Sequence, residues 1–282
     1  MPLIDSHTHI LPPELAADRA ALCRRDAWFG SLYGNPRARL ATAEELIAAL
    51  DETGMDGAVA FGFAFADSGL CRACNDYVLD ATARYVGRIL PLAVVSPCAE
   101  GAAIEAERCL SAGARGIGEL LPDGQGIDLS GDDLDPLLGV LREAGAPLLV
   151  HVNETVGHPY AGKGRHGPAE AYALAARHPD NDIVLAHWGG GLPFYELMPE
   201  VRKALARVWY DTSASSLLYV DAVYRHVSNW AADKILFGSD FPLISPLRAL
   251  RRVRRVRLAP TIAALMMGDN AARLFRLGEA GT

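Results

Sequence analysis

The sequence has few cysteines and no long apolar run. Its 282 residues include five cysteines, an odd number, scattered along the chain. No uninterrupted apolar stretch approaches the length of about 20 residues that a membrane-spanning helix needs, and no secretory signal precedes the first predicted strand. These absences argue against a disulfide scaffold and a membrane protein. We therefore expect a reducing, cytoplasmic setting.

Two of the cysteines have the spacing of a redox or zinc motif. Cys71 and Cys74 form a C-x-x-C pair, but no second pair completes a tetrahedral zinc site. The pair also falls inside a predicted helix, residues 69–85. This placement favours a structural role at the edge of the core.

Positive charge is scarce as well. Lysine and arginine number 27 against 34 acidic residues, for a net charge of −7. A surface for nucleic acid or for an anionic membrane needs an excess of positive charge, so neither partner is expected. The one basic run, six arginines between Arg248 and Arg257, is interpreted first as the solvated face of an outer helix and second as a subunit contact. The expected partner is a small molecule, and a homo-oligomer is left open.

Half of the residues are apolar, and they fall into short runs that alternate with helical patterns. Such alternation predicts an α/β protein with a parallel sheet, and eight strands suggest closure into a single-domain (β/α)8 TIM barrel over residues 1–282. An open doubly wound sheet would place a glycine-rich turn after the first strand, where this chain has His-Thr-His. Long loops are predicted at 10–40 and 153–167. The predicted strands are 3–9, 57–63, 89–95, 114–119, 147–151, 182–187, 208–211 and 234–240.

Two histidines in the first strand are the centre of the functional prediction. Residues i and i+2 of a strand point to the same side, so His7 and His9 present two imidazoles to one place. Imidazole is a common ligand of zinc and similar ions. Other good ligands follow later strands, and in a barrel these strand ends meet at one rim. They are Glu119, His151, His187 and Asp240. The sequence therefore predicts a metal site at that rim.

The roles follow from ligand chemistry. His7, His9 and His151 are neutral donors that leave the charge of the ion intact, so that a bound water becomes acidic. Asp240 adds a carboxylate that can ligate the ion and accept the proton of that water. His187 either completes the ligand set or stays free for acid–base work, and we favour the second role.

Glu119 has two alternative roles. It bridges a second ion, or it orients a ligating histidine from behind. The cofactor is accordingly one or two divalent ions per chain, with zinc expected first and manganese second.

The long loop after the fifth predicted strand carries candidate substrate contacts. Glu154, His158, Lys163 and Arg165 lie where the loops of a barrel meet substrate. Lys163 and Arg165 could hold a substrate carboxylate. The alternative is an ordinary solvated loop, and both interpretations are kept.

Four segments together resemble the amidohydrolase superfamily, and specifically its amidohydrolase-related branch of hydrolases, lactonases and decarboxylases of the aminocarboxymuconate-semialdehyde type. They are Asp5-Ser-His-Thr-His-Ile-Leu-Pro12, His187-Trp-Gly-Gly190, Leu236-Phe-Gly-Ser-Asp-Phe-Pro242 and Gly268-Asp-Asn-Ala-Ala-Arg-Leu-Phe275. The resemblance spans nearly the whole chain. It implies a (β/α)8 barrel with one or two divalent ions.

The resemblance also implies a ligand set. His7 and His9 match the paired ligands of the first strand, His151 that of the fifth, His187 the histidine of the sixth and Asp240 the aspartate of the eighth. Many relatives with two ions bridge them with a carboxylated lysine on strand four, but this chain has lysines only at 163, 203 and 234. Glu119 instead resembles the strand-four glutamate of the TatD-like deoxyribonuclease branch, which leaves the number of ions open.

The expected function is a metal-dependent hydrolase in which an activated water attacks an ester, lactone or amide bond of a small carboxylated substrate. The alternative is a non-oxidative decarboxylase of an unsaturated or aromatic acid that uses the same ligands, with His187 or Asp240 delivering a proton to carbon. A third hypothesis is a binding protein without catalysis, whose ion would be closed off by protein ligands.

Overall fold

The computed structural model describes residues 2–278 and contains eight parallel strands, each short and buried. The strands lie within or next to the apolar runs from which we predicted them, but most are shorter than predicted. They are β1 (Ile4–His9), β2 (Gly57–Phe61), β3 (Ile89–Pro91), β4 (Ile117–Leu120), β5 (Leu148–Val150), β6 (Ile183–Leu185), β7 (Val208–Asp211) and β8 (Ile235–Leu236).

The strands pair in chain order and close on themselves. One set runs β1-β2-β3 and the other runs from β4 to β8, all in parallel. Two seams join the sets. Ala93 pairs with Ile117 at one seam, and Thr8 pairs with Phe241 at the other, where the amide of His9 also donates to the carbonyl of Phe241 over 2.7 Å. The predicted (β/α)8 barrel is confirmed.

Helices surround this barrel between the strands. The helix that precedes β2 begins with a capping box, in which the amide of Thr42 donates to Glu45 over 2.9 Å. The helices are α1 (Pro13–Ala17), α2 (Arg19–Arg25), α3 (Ala27–Tyr33), α4 (Ala43–Thr53), α5 (Ser68–Arg84), α6 (Ala102–Ser111), α7 (Pro122–Gln125), α8 (Asp135–Ala144), α9 (Pro168–Arg177), α10 (Pro199–Ala204), α11 (Ser215–Leu218), α12 (Ala222–Ala231), α13 (Pro246–Val256), α14 (Pro260–Ala264) and α15 (Asn270–Leu274). No helix within residues 2–278 is both long and apolar enough to cross a bilayer.

The segment 10–40 is not the loop that we expected, because it folds into α1, α2 and α3. Asp18 and Asp26 start the second and third of these helices, since their carboxylates accept the amides of Ala21 and Phe29. Each of those two helices has seven residues. Such a length is too short to produce a clear helical period in the sequence. The long segment nevertheless covers the carboxyl end of the barrel, where the site lies.

Apolar side chains fill the interior of the barrel beneath that site. Val59, Leu149, Val184 and Leu236 belong to one buried cluster and are at most 3% exposed. Two further clusters lie between the strands and the helices. The interior is therefore a packed core, and the polar residues at the strand ends form its upper surface.

The cysteines give a first testable prediction. Cys71 and Cys74 lie in α5 and are at most 1% exposed, and burial raises the pKa of both thiols, that of Cys74 to about 12. Cys98 is exposed. We expect a maleimide at pH 7 to label Cys98 rapidly, and to label Cys71 and Cys74 only after unfolding, as mass spectrometry of the digested protein will show. Rapid labelling of Cys71 or Cys74 in the native protein would contradict their burial in the core. The control is Cys98→Ser, which removes the exposed thiol.

Candidate metal centre and active site

Three side chains form a first cluster of metal donors at the carboxyl end of the barrel. The Nε2 atoms of His7 and His9, both in β1, lie 3.2 Å apart. Oδ1 of Asp240 lies 3.7 Å from the first and 3.5 Å from the second. Ligands of a tetrahedral ion with bonds of about 2.0–2.1 Å stand roughly 3.3 Å apart. The spacing therefore fits a single divalent ion held by these three residues.

Three other side chains form a second cluster beside it. Nδ1 of His151 lies 3.0 Å from Oε1 of Glu119. Nε2 of His187 lies 3.0 Å from that His151 nitrogen and 3.4 Å from the same Glu119 oxygen. This cluster also has the spacing and the chemistry of a site for a divalent ion.

Glu119 connects the two clusters. While its Oε1 faces His151 and His187, its Oε2 lies 3.6 Å from Nε2 of both His7 and His9. Glu119 is 4% exposed and stands in β4. One carboxylate thus presents an oxygen to each cluster, which is the geometry that a bridging ligand needs.

Asp211, at the end of β7, orients histidines of both clusters. Nδ1 of His7 donates to Oδ2 of Asp211 over 2.8 Å, which leaves Nε2 of His7 free for a metal ion. The other oxygen of Asp211 accepts the amide of His187 over 3.0 Å and the hydroxyl of Ser213. Nδ1 of His187 lies 2.8 Å from that hydroxyl oxygen. These hydrogen bonds fix two of the imidazole rings that belong to the donor clusters.

The buried charges of the site shift each other's pKa. Burial by itself lowers the pKa of His7, but the carboxylates of Asp211 and Glu119 more than offset this and hold it well above its usual value. In the same way burial lowers the pKa of His187, and Glu119 and other carboxylates raise it to about 9. Burial raises the pKa of Glu119, but His7 and His151 outweigh burial and bring it well below its usual range. The carboxylates thus create a field that favours positive charge, as a divalent cation requires.

A left-handed turn places His187 at the rim. The strand that we predicted up to residue 187 ends at Leu185, and the five residues from His187 to Gly191 all have positive φ angles, between 53° and 98°. His187 and Trp188 adopt this conformation against the steric preference of their side chains. A buried hydrogen bond over 2.7 Å from Nε1 of Trp188 to Ser215 holds the turn in place.

A glycine is required beside Glu119. Gly118 has a φ of +132°, and a Cβ there would lie 2.2 Å from the carbonyl oxygen of Leu149 in β5. We expect Gly118→Ala to destabilise the protein by about 3 kcal/mol, because both the backbone angle and the contact oppose the new methyl group. The control is Gly139→Ala in α8, where nothing lies within 4 Å and the change should stabilise by about 0.5–1 kcal/mol. Urea unfolding measures both variants, and equal stabilities would show that the barrel tolerates a side chain at Gly118.

A cavity of about 430 Å³ lies directly over the donors, and most of its wall is apolar. Among the described residues that line it, Arg39 is the one arginine or lysine, and its side chain is 58% exposed, 3.8 Å from Glu45. The site residues on the floor are His9, Glu119, His151, His187 and Asp240. The apolar and aromatic wall residues include Trp28, Leu32, Tyr33, Phe63, Leu121, Tyr160, Leu217, Leu218 and Leu243.

The four substrate contacts that we predicted in the loop 153–167 do not all reach the cavity. His158 lines the cavity. Glu154 instead accepts the hydroxyl of Tyr160 over 2.8 Å. Nζ of Lys163 donates to two backbone carbonyls of its own loop over 2.8 and 3.2 Å, and the side chain of Arg165 is 83% exposed. Of these four residues, the structure brings only His158 to the cavity.

Sequence reasoning missed most residues of the cavity wall, among them two polar residues of the first long segment. Tyr33 and Arg39 come from the segment after β1, which we expected to be a loop. Trp28 of the same segment also lines the cavity. The signals that could have located the helical part of this segment were the capping residues Asp18 and Asp26.

Comparison with known proteins agrees with this geometry. A family model described as amidohydrolase matches residues 4–277, whereas no curated protein matches. The structure of 5-carboxyvanillate decarboxylase from Sphingomonas paucimobilis has a TM-score of 0.80 at 19% identity, covering 98% of this chain and 99% of that one. A dihydroxybenzoic acid decarboxylase from Polaromonas sp. JS666, with bound manganese and the inhibitor 2-nitroresorcinol, has a TM-score of 0.76 at 19% identity, with 99% and 98% covered.

A third similar structure is a probable 2-pyrone-4,6-dicarboxylic acid hydrolase from Acinetobacter baumannii with citric acid bound. Its TM-score is 0.66 at 18% identity, with 98% of this chain and all of that chain covered. At these identities the likeness to solved structures concerns the fold. The match to the family model covers nearly the whole chain and agrees with the cluster of metal donors at the carboxyl end of the barrel. This chain therefore belongs to the amidohydrolase family and is a metal-dependent enzyme of that superfamily.

Proposed function

We propose that this chain is a metal-dependent decarboxylase of a small aromatic or otherwise unsaturated carboxylic acid. The observation that carries the proposal is an apolar, aromatic-walled cavity of about 430 Å³ whose floor is the cluster of metal donors. The similar structures named as decarboxylases, with TM-scores of 0.80 and 0.76, support it more than the one named as a hydrolase, with 0.66. The ranking of the two reactions that we drew from the sequence is accordingly reversed.

The cavity suits a flat, apolar substrate body with one charged group. Trp28, Tyr33 and Phe63 offer ring faces and edges against which an aromatic ring packs favourably. A carboxylate that enters this cavity loses most of its water, and loss of neutral carbon dioxide relieves the cost of that burial. Arg39 is a cation at the wall that can pair with a second anionic group of the substrate.

The donors fit manganese as well as zinc. They are imidazoles and carboxylates without a thiolate, a set that both ions accept. His7, His9 and Asp240 would hold an ion on one side, and His151 and His187 on the other, with Glu119 available to both. When bound, a divalent ion supplies positive charge that holds substrate oxygens and stabilises the negative charge developing as the carbon–carbon bond breaks.

In this reaction the carbon–carbon bond to the carboxylate breaks, its electron pair stays on the substrate, and a proton replaces the carbon dioxide. We assign delivery of that proton to Asp240, which lines the cavity. Burial raises the pKa of Asp240, but His9 and His7 outweigh burial and lower it, so this carboxylate first takes up the proton from water or from an acidic hydroxyl of the substrate. Its Oδ1 faces His7 and His9, and its other oxygen makes no hydrogen bond within residues 2–278. The ring nitrogens of His187, in contrast, already contact Ser213 and other site residues.

Hydrolysis of an ester, lactone or amide is the second candidate, and Glu119 favours it. A carboxylate with one oxygen facing each donor cluster can hold two adjacent ions, and paired ions are common in hydrolases. The same residues would serve, so the two reactions are distinguished by their products.

The test supplies the purified enzyme with manganese or zinc and offers it two panels of compounds. One contains hydroxylated and methoxylated benzoates and unsaturated dicarboxylic acids, and the other contains lactones, esters and amides of similar size. We expect a member of the first panel to release carbon dioxide and thereby to become lighter by about 44 Da. Mass spectrometry detects both the gas and the lighter product. Turnover confined to the second panel would establish the hydrolase, and tight binding without turnover in either panel would establish a binding protein.

A further inference from the structure

Two loops line the same cavity. The connection from β5 to α9 and the connection from β7 to α12 both contribute to its wall. From the first come Tyr160, Ala161 and Gly162, and from the second come Ala214, Leu217 and Leu218. The positions of these two loops relative to each other therefore help to shape the space that a substrate enters.

The first loop also carries a partly buried carboxylate, that of Glu154. Oε2 of Glu154 accepts the hydroxyl of Tyr160 over 2.8 Å. Oε1 of the same residue is buried and has no hydrogen-bond partner among the described residues. The hydroxyl of Tyr219, which belongs to the second loop, is also buried and without a partner in the described part of the chain. Among the described residues, the first loop thus holds a buried acceptor without a partner, and the second loop holds a buried donor without a partner.

The two unused groups are neighbours. Both lie against the turn at Gly190 and Gly191, because a Cβ on Gly191 would lie 3.9 Å from the hydroxyl of Tyr219 and a Cβ on Gly190 would lie 2.2 Å from the carbonyl oxygen of Asn153, the residue before Glu154. Burial raises the pKa of Tyr219, and the nearby carboxylate of Glu154 raises it further, in agreement with this placement. The backbone of Tyr219 is itself held, because Arg252 of α13 donates to its carbonyl and pairs with Asp221. Tyr219 is therefore attached to the outer helices, whereas Tyr160 belongs to a long loop.

We infer that Glu154 is a positioning residue that joins the two loops by accepting the hydroxyls of Tyr160 and Tyr219, and that this link sets the width of the cavity for a flat substrate. A carboxylate has enough lone pairs for both phenols, and an unpaired buried polar group costs free energy that the second hydrogen bond removes. Glu154 thus acts on the substrate through Tyr160 and not by direct contact, in contrast to our expectation from the sequence. The role in substrate selection rests on the proposed function, but the link between the loops does not.

Hydrogen–deuterium exchange of the substrate-free enzyme tests the link by itself. We expect Glu154→Gln and Tyr219→Phe each to speed exchange of the amides in residues 155–163 by about tenfold, because the loop loses its attachment. The matched control is Arg165→Ala, on the same loop, whose side chain is 83% exposed. Exchange as slow in both variants as in the wild type would overturn the link, whatever reaction the enzyme catalyses.

Steady-state kinetics with the substrate found in the panels tests the role in selection. We expect both variants to raise KM by about tenfold and to keep kcat within about threefold, since the loops position substrate and do not take part in the chemistry. We also expect turnover of bulkier acids to rise relative to flat ones. A fall in kcat at unchanged KM would overturn the positioning role, because Glu154 would then act in the chemical step.

Discussion

Asp240→Asn should lower kcat by about 10²- to 10⁴-fold while the protein stays folded, because proton transfer by a positioned side chain contributes that much to catalysis. Asparagine has nearly the shape of aspartate but cannot carry the proton that replaces carbon dioxide. Asp240 also has a φ of +70°, and asparagine is among the few residues that tolerate this conformation. The variant therefore removes the chemistry and keeps the backbone. Product release measured with metal in excess gives the result.

The control for this variant is Asp180→Asn, an exposed aspartate between α9 and β6, which should leave kcat unchanged. Thermal unfolding of both variants shows that they are folded, and metal analysis shows whether the Asp240→Asn variant still binds an ion. Turnover within about threefold of the wild type at full metal occupancy would remove Asp240 as the proton carrier. The assignment would then pass to His187, which also lines the floor and is the alternative proton carrier expected from the sequence.

Glu119→Gln should weaken binding of divalent ions at both donor clusters. Its two oxygens lie 3.0 Å from Nδ1 of His151 and 3.6 Å from Nε2 of His7, so the change removes a charged donor from each site. We expect the wild type to hold about two ions per chain after loading with manganese, and Glu119→Gln to hold fewer than about one, with affinity reduced by about 100-fold or more. Elemental analysis after desalting measures the content.

A second variant separates the clusters. His151→Ala should remove only the ion that its own cluster holds and leave about one ion per chain, whereas His226→Ala, on the exposed side of α12, should leave the content unchanged. A wild type with a single ion, and no loss of it in Glu119→Gln, would show that Glu119 orients His151 and bridges nothing. In that case the argument from Glu119 for a hydrolase would also fail.

The fold could be predicted because the information is local. Short apolar runs alternate with amphipathic stretches along the whole chain, and this alternation already implies the parallel barrel that closes between Thr8 and Phe241. The two-residue spacing of His7 and His9 in one strand likewise implies a common direction for their rings. The resemblance to the amidohydrolase superfamily was confirmed by a family match over residues 4–277.

Several features of the site could not be predicted in this way. Asp211 orients the ring of His7, which is 204 residues away in the chain. This contact depends on closure of the barrel. The placement of Lys163 and Arg165 away from the cavity depends on how one loop folds on itself. Neither feature has a repeating pattern in the sequence, since the first arises from a contact between distant segments and the second from the fold of an irregular loop.

The sequence by itself thus determined the barrel, the family and the set of candidate metal donors, because strand periodicity and the positions of strand ends follow from near neighbours in the chain. Only the tertiary structure decided how those donors divide into two clusters around Glu119, which residues line the cavity, and that Glu154 lies beside two tyrosines. These properties depend on distances of a few ångströms between side chains from different strands and loops. Such distances are set by the packing of the whole barrel, which no short stretch of sequence contains.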